Sequence, residues 1–177
     1  MTDFVALEAL GPRIVIAGPS NAGKSTLTSA LAEKIGAEPV YLDSLHHQPG
    51  TDWQPRPAEE FDALHSVAIA GECWILDGNY SRLMPPRLAR ATGIIWLDLP
   101  PLGCLLRYVK RSYFQNKRHG RVQGNPETVN WEMINHILRV QPSQRVAMGD
   151  RFAASGLPML HLRSMAKLKA LYAAWGL

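Results

Sequence analysis

The chain has 177 residues, 46% of them hydrophobic, with 19 Lys and Arg against 15 Asp and Glu and a formal net charge of +4. This size and apolar content fit a single globular domain over 1–177 with its own core, and exclude a disordered or low-complexity chain. No apolar run approaches the roughly 18 residues that span a bilayer, and a basic balance favours anionic partners without by itself implying nucleic acid.

The first element is an apolar strand, Arg13 to Ala17. Gly18-Pro19-Ser20-Asn21-Ala22-Gly23-Lys24-Ser25-Thr26 follows, and helical spacing then runs to Ile35. Gly, four residues, then Gly-Lys-Ser between a strand and a helix is a Walker A phosphate-binding loop. Gly18 and Gly23 let the backbone curl so that the N–H groups from Ser20 to Thr26 point at an anion, and the helix adds the positive end of its dipole. Lys24 reaches the β- and γ-phosphates of ATP, and the Ser25 hydroxyl ligates Mg²⁺.

A second strand is expected over Pro39 to Leu42, ending at Asp43. A Pro-rich loop, Gln48 to Arg56, leads to a helix from Pro57 with an apolar face of Phe61, Leu64, Val67 and Ala68. Cys73 to Asp77 is a third strand and Gly93 to Leu99 a fourth. A helix from Pro101 to Phe114, a basic loop to Pro126 and a helix from Glu127 to Val140 come next, and Pro142 breaks or restarts the last of these. Pro158 to Leu162 is a fifth strand, and Ser164 to Trp175 a final helix. Strands alternating with helices argue for a parallel sheet covered on both faces. The two cysteines, Cys73 and Cys104, lie in apolar segments and read as buried thiols without metal or disulfide spacing. With no positively charged leader at Met1 to Glu8, a reducing cytoplasm is the expected setting.

Ligands sit at the carboxyl ends of strands in such sheets. Three carboxylates are expected there, Asp43, Asp77 and Asp98. Asp77, followed by Gly78-Asn79-Tyr80, is the one chosen to complete the Mg²⁺ shell with Ser25. Asp98 precedes Leu99-Pro100-Pro101 and serves equally as a turn residue.

The P-loop, Tyr41-Leu42-Asp43, Pro49-Gly50 before Trp53, Ile75 to Ser81, and Ile94 to Pro100 occur in that order. The series resembles the bacterial adenylate-kinase-related proteins often labelled DNA topology modulation (FlaR-like) proteins, well from Arg13 to Arg121 and loosely beyond. The resemblance implies a three-layer P-loop NTPase of the nucleoside-monophosphate-kinase type, with a five-stranded parallel sheet in the order 2-3-1-4-5. Asp77-Gly78-Asn79-Tyr80-Ser81-Arg82 is also similar to the Asp-Gly-Phe-Pro-Arg element of adenylate kinases, whose Asp lies near Mg²⁺ and whose Arg holds substrate phosphate. Here Asn-Tyr replaces Phe-Pro and Arg82 falls one residue late, so specificity for adenosine monophosphate does not carry over.

From Leu99 to Pro126 there is no acid, while Arg107, Lys110, Arg111, Lys117, Arg118 and Arg121 crowd together. The reading taken is a short kinase lid over 107–125, hinged at Gly120 and Gly124, with Arg111, Arg118 and Arg121 as catalytic charge and Arg107 on the nucleotide. A solvated basic face and a nucleic-acid patch, with Tyr108, Tyr113 and Phe114 stacking on bases, are the competing readings, the latter less favoured. Arg163, after the last strand, is placed beside the nucleotide base, where related folds contact adenine. Trp53, Tyr80, Arg82 and Arg87 are candidates for the acceptor pocket, and His46-His47 has no assigned role.

The function expected is therefore transfer of the γ-phosphoryl of ATP, with Mg²⁺, to a small-molecule acceptor that is a hydroxyl compound or a nucleoside monophosphate. Asp43 tilts this toward a hydroxyl, because a carboxylate orients and deprotonates a hydroxyl but repels a phosphate; shikimate kinases look similar at this point. Plain nucleotide hydrolysis and a nucleotide-gated DNA-binding protein are the alternatives. GTP is disfavoured, since Asn116-Lys117 is followed by Arg118-His119 and not by the guanine-reading acid.

Overall fold

The structure, a computed structural model, describes residues 4–114 and 129–177. Five parallel strands, β1 (Arg13–Ala17), β2 (Glu38–Tyr41), β3 (Trp74–Asp77), β4 (Gly93–Leu97) and β5 (Met159–Leu162), form one sheet in the order β2-β3-β1-β4-β5. The helices are α1 (Lys24–Ile35), α2 (Leu42–His46), α3 (Ala58–Ala68), α4 (Met84–Arg90), α5 (Pro101–Phe114), α6 (Trp131–Asn135), α7 (Gln141–Ala154) and α8 (Met165–Trp175). This is the expected three-layer P-loop fold and strand order.

The layers follow from side-chain alternation in strands buried on both faces. Ile14, Ile16, Ile75 and Ile95 pack with Leu27 and Leu31 of α1, Cys104 of α5, and Leu168 and Leu171 of α8. Val15, Leu76, Ile94 and Trp96 turn the other way, onto Phe61 of α3, Met84 of α4 and Phe152 of α7. No described helix is long and apolar enough to cross a membrane.

The expected strands are recovered to within two residues at each end. Between them, two readings are corrected, and one alternative is decided. Pro142 restarts its helix and does not break it: α6 and α7 are joined by a π-turn, His136–Val140, with helical backbone at both junctions, and Pro142 stands in the first turn of α7. Widening the turn accommodates a residue that has no N–H to donate. The joined helix therefore crosses the carboxyl edge of the sheet, with Ile137 in one layer and Phe152 in the other. On α3 the fully buried positions are Phe61 and His65, continued by Ile69 just past the helix end, each four apart, which leaves Val67 75% exposed. Cys73 precedes β3 on the surface and is exposed; only Cys104 of the pair is buried.

His65 gives the fold an acid sensitivity. It is 1% exposed, and burial, then the nearby Arg87 charge, pushes its imidazole from 6.5 down to about 4. The unfolded chain binds that proton near pH 6.5 and the folded chain only near 4, so this contribution to stability is complete above 6.5 and falls away below it. The expected loss by pH 4 is roughly 2 to 3 kcal/mol. Urea unfolding of the unaltered protein and of His65→Leu at pH 7 and pH 4 should show a flatter pH dependence in the variant; parallel curves would assign the acid sensitivity elsewhere.

Candidate functional site: a P-loop beside an aromatic cleft

The chain leaves β1 through Gly18 at φ +147°, where a Cβ would stand 2.3 Å from the Leu97 carbonyl oxygen. Asn21 (φ +63°) and Gly23 (φ +99°) complete the curl, and Gly23 caps α1 without any side-chain hydrogen bond to the helix N–H groups. Those first-turn donors are the ones an anion at a helix N-terminus satisfies.

Lys24 and Ser25 begin α1 and face Asp77, the last residue of β3. Ser25 Oγ donates to Asp77 Oδ2 at 2.5 Å, Lys24 Nζ lies 4.0 Å from Asp77 Oδ1, and the same Nζ donates to the Pro19 carbonyl at 3.1 Å. The three residues expected to handle phosphate and metal thus converge, across 52 residues of sequence between Ser25 and Asp77. A hydroxyl beside a carboxylate is a hard-oxygen pair, the donor chemistry that Mg²⁺ takes together with phosphate and water.

Other elements hold the loop in shape. Arg107 of α5 donates through Nε to the Asn21 carbonyl at 2.7 Å, and Gln141, at the start of α7, donates through Nε2 to Ser20 Oγ at 2.8 Å. Asn79 meets Gly18 twice: its Oδ1 accepts from the Gly18 N–H and its Nδ2 donates to the Gly18 carbonyl, both at 3.0 Å. His136, in the π-turn, is held below its ordinary pKa by burial and then by the charge of Lys24. Arg107 was expected at the nucleotide and does reach the P-loop; Gln141 and His136 carried no sequence signal. Asn79 had one, its place two residues after a strand-end aspartate.

Past the ends of β2 and β3 lies a cleft of about 390 Å³ whose lining includes His46, Arg56, Phe61, Tyr80 and Arg82; Tyr80 follows Asn79, the residue that meets Gly18. Its walls are rings: His46 sits 4.9 Å from Phe61 and 4.8 Å from Tyr80, centre to centre, and Phe61 sits 5.1 Å from Tyr80. Asp43 is not the end of a strand, as expected, but lies in the first turn of α2, since β2 stops at Tyr41. It still arrives here, because the Tyr80 hydroxyl donates to Asp43 Oδ1 at 2.8 Å. Burial, then the Asp43 charge, raises the Tyr80 hydroxyl far above its ordinary pKa, so it stays a donor. Tyr80 holds φ +31°, unusual for a residue with a side chain. His46 is held below its ordinary pKa by burial and then by His47, with which it stacks at 4.6 Å. Trp53 meets the edge of His47 at 5.4 Å.

The two arginine candidates, Arg82 and Arg87, separate, and Arg56 joins the cleft without having been expected there. Arg82 lines the cleft, but both its terminal nitrogens are bound to the Asp62 carboxylate, at 2.7 and 2.5 Å. Arg56 lines it too and pairs with Glu60 at 2.6 Å. Arg87 is corrected: it is fully buried and donates to the carbonyls of Leu83, Gly78, Asn79 and Tyr80. A side chain that satisfies the carbonyls of this turn from below is unavailable to a ligand above it.

Of the residues expected to form a lid, Arg111 sits half-buried one turn beyond Arg107 on α5, while Arg118, Arg121, Gly120 and Gly124 lie outside the described residues. Tyr108, one of the aromatics considered for base stacking, is 5% exposed and belongs to the core, which removes it from a nucleic-acid surface. Arg163 is exposed just after β5, and no hydrogen bond or ion pair ties it to the P-loop among the described residues. Asp98 is occupied structurally: Arg145 of α7 binds both its oxygens at 2.6 Å, and His161 of β5 lies at 2.8 Å. Burial works to raise its pKa, but hydrogen bonds from Arg145, then His161, hold the carboxyl below its ordinary range. His161 in turn stacks flat on Trp96, 4.1 Å apart.

Fold and site together define a P-loop on a parallel sheet covered on both faces, with an aromatic cleft past the ends of β2 and β3. No protein-family model matches the chain. A stretch of 57 residues is 44% identical to a tRNA dimethylallyltransferase of Parvibaculum lavamentivorans, covering 32% of this chain and 18% of that protein. Among solved structures, a deoxyadenosine kinase of M. mycoides with bound dATP superposes at a TM-score of 0.40 and 17% identity, over 85% of this chain and 90% of that one. The same kinase with products dCMP and a flexible dCDP gives 0.39 and 17%, over 84% and 88%. At these distances neither a family nor a substrate follows from the likeness.

Proposed function

We propose that this protein is an ATP-dependent phosphotransferase, a single P-loop kinase domain related to the FlaR-like group, that moves the γ-phosphoryl of ATP to a small acceptor in the aromatic cleft. The observation that supports it most is the Ser25–Asp77 contact, 2.5 Å, with Lys24 beside it at the mouth of the P-loop. Backbone N–H groups from Ser20 to Thr26 would hold the phosphates, and Lys24 would exchange the Pro19 carbonyl for a phosphate oxygen. Ser25 and Asp77 would hold Mg²⁺, which when bound neutralises phosphate charge. Arg107 steadies the loop, Arg111, Arg118 and Arg121 would bring lid charge over it, and Arg163 would border the base.

The cleft favours a neutral, hydroxyl-bearing acceptor over a phosphate ester. Both guanidiniums lining it are already paired with carboxylates, Arg87 is buried, and Asp43 brings negative charge to its edge. Asp43 would orient the hydroxyl and accept its proton, with Tyr80 and Arg82 flanking the acceptor and ring walls excluding water.

Lys24→Ala should weaken ATP binding by about 2 to 3 kcal/mol, because it removes a charge-assisted contact to phosphate. Calorimetry checks this, and unchanged affinity would defeat the P-loop assignment. An ADP-release screen across nucleosides, nucleoside monophosphates, sugars and small acids should find turnover with a hydroxyl compound. Release of ADP that no acceptor stimulates would instead indicate a plain ATPase. Tight duplex DNA binding at 0.2 M salt, abolished by Ala at Arg118 and Arg121, would favour the DNA-binding alternative.

A further inference from the structure

We propose that Asn79 is a positioning residue for the P-loop: its amide holds Gly18 in the shape that receives phosphate, without touching the ligand itself. The proposal deepens the nucleotide-binding reading above and rests on it.

The regular ladder between β1 and β3 ends as the Gly78 N–H donates to the Ile16 carbonyl at 3.2 Å. Two residues beyond Ile16, Gly18 has turned to φ +147° and cannot continue a strand. Its peptide groups still need partners, because half-buried N–H and C=O groups without them are costly. The Asn79 side chain supplies both, accepting from the Gly18 N–H and donating to its carbonyl, each at 3.0 Å. A short side chain carrying an acceptor and a donor on two separate atoms is required: ionised Asp has no donor, an aliphatic residue has neither, and Ser has both only on a single oxygen of a shorter side chain. This accounts for Asn standing where the similar adenylate-kinase element has Phe.

The base of the clamp is fixed in turn. Buried Arg87 donates to the carbonyls of Gly78, Asn79 and Tyr80, so the peptide that carries the amide cannot drift. A Cβ on Gly78 would fall 2.9 Å from Leu42 Cβ, and its φ of +136° suits glycine, so the turn is specific at this residue as well. Gly18 is the pivot at which the chain leaves β1 for the phosphate cradle, and a glycine there is conformationally loose unless held. Ordering a loop at the moment of binding weakens affinity, and ordering it beforehand restores that affinity.

The test uses the full chain, with ADP as the probe and two measurements. Asn79→Leu keeps the volume and removes both hydrogen bonds. Hydrogen exchange of the Gly18 amide, followed by NMR in the nucleotide-free protein, should accelerate at least tenfold relative to the core amide of Val15. ADP affinity by calorimetry should fall about tenfold. Asn79→Asp keeps an acceptor for the Gly18 N–H and should retain its protection. The proposal is overturned if Gly18 exchange is unchanged in Asn79→Leu, or if exchange rises while ADP affinity stays within twofold. Should Asn79→Leu not fold, Asn79→Ser, too small to make both bonds, replaces it in both measurements. Failure of the unaltered protein to bind ADP or ATP counts against the nucleotide reading, and Gly18 exchange then decides the clamp by itself.

Discussion

Arg87→Met should destabilise the fold by about 3 to 5 kcal/mol, read as a lower urea midpoint. Arg87 is fully buried and its guanidinium donates to four main-chain carbonyls, those of Gly78, Asn79, Tyr80 and Leu83. Burial, then the nearby Arg151, pushes its pKa down to about 10, so it is a cation throughout the neutral range. Met matches the bulk but leaves those carbonyls unsatisfied, and a buried acceptor without a partner costs about 1 to 3 kcal/mol. Arg87→Lys keeps the charge and loses the planar fork, so it should fall between the two. A loss below about 1 kcal/mol for Arg87→Met would mean that water replaces the guanidinium and the turn holds itself together. The same loss should slacken the Asn79 clamp, since the peptide bearing it would no longer be pinned.

The difference between Arg82 and Arg87 shows where sequence stops being informative. Both follow a strand-end aspartate at plausible distances for a phosphate ligand. Nothing local distinguishes one that pairs at the surface with Asp62 of α3 from one that turns inward, because the choice depends on how α3 and α4 are set on the same core, to which Phe61 and Met84 both belong. The sheet was legible because its strands are buried on both faces and read as unbroken apolar runs. The P-loop was legible because one local turn contains all of its chemistry. α2 was not, since five residues show no period, and α4 hides behind two prolines that sit in its first turn. At Pro142 the two alternatives, break or restart, could not be decided locally: the π-turn before it is a tertiary accommodation, formed where Ile137 and Gln141 must meet the core and Ser20 respectively. His46 and Phe61 as cleft walls required α2 and α3 to be brought together in space.

Asp43→Asn should reduce phosphoryl transfer by about 100-fold or more and leave ATP affinity within twofold. General-base catalysis contributes about 10²- to 10⁴-fold, and the amide cannot accept the proton. The variant is a fair probe because the amide oxygen can still accept the hydrogen bond that Tyr80 makes to Asp43, 2.8 Å in the present structure. Packing against the cleft is therefore kept, and only the basicity is lost. Tyr80→Phe provides the complement. It releases one carboxylate oxygen and removes a ring hydroxyl without removing the base, so its effect should fall more on KM than on kcat. The rates come from ADP release with the acceptor that the screen identifies. Suppose a nucleoside monophosphate is the better acceptor and Asp43→Asn turns it over at the unaltered rate. The hydroxyl reading then fails, and a cation must hold the acceptor phosphate. Arg87 cannot, buried beneath the turn as it is. Arg82 can, by leaving Asp62, because that pair is exposed and such surface pairs are worth little. Arg82→Ala would then raise KM for the monophosphate, whereas with a neutral acceptor it should change KM by less than about threefold, the scale of a surface contact of under 1 kcal/mol.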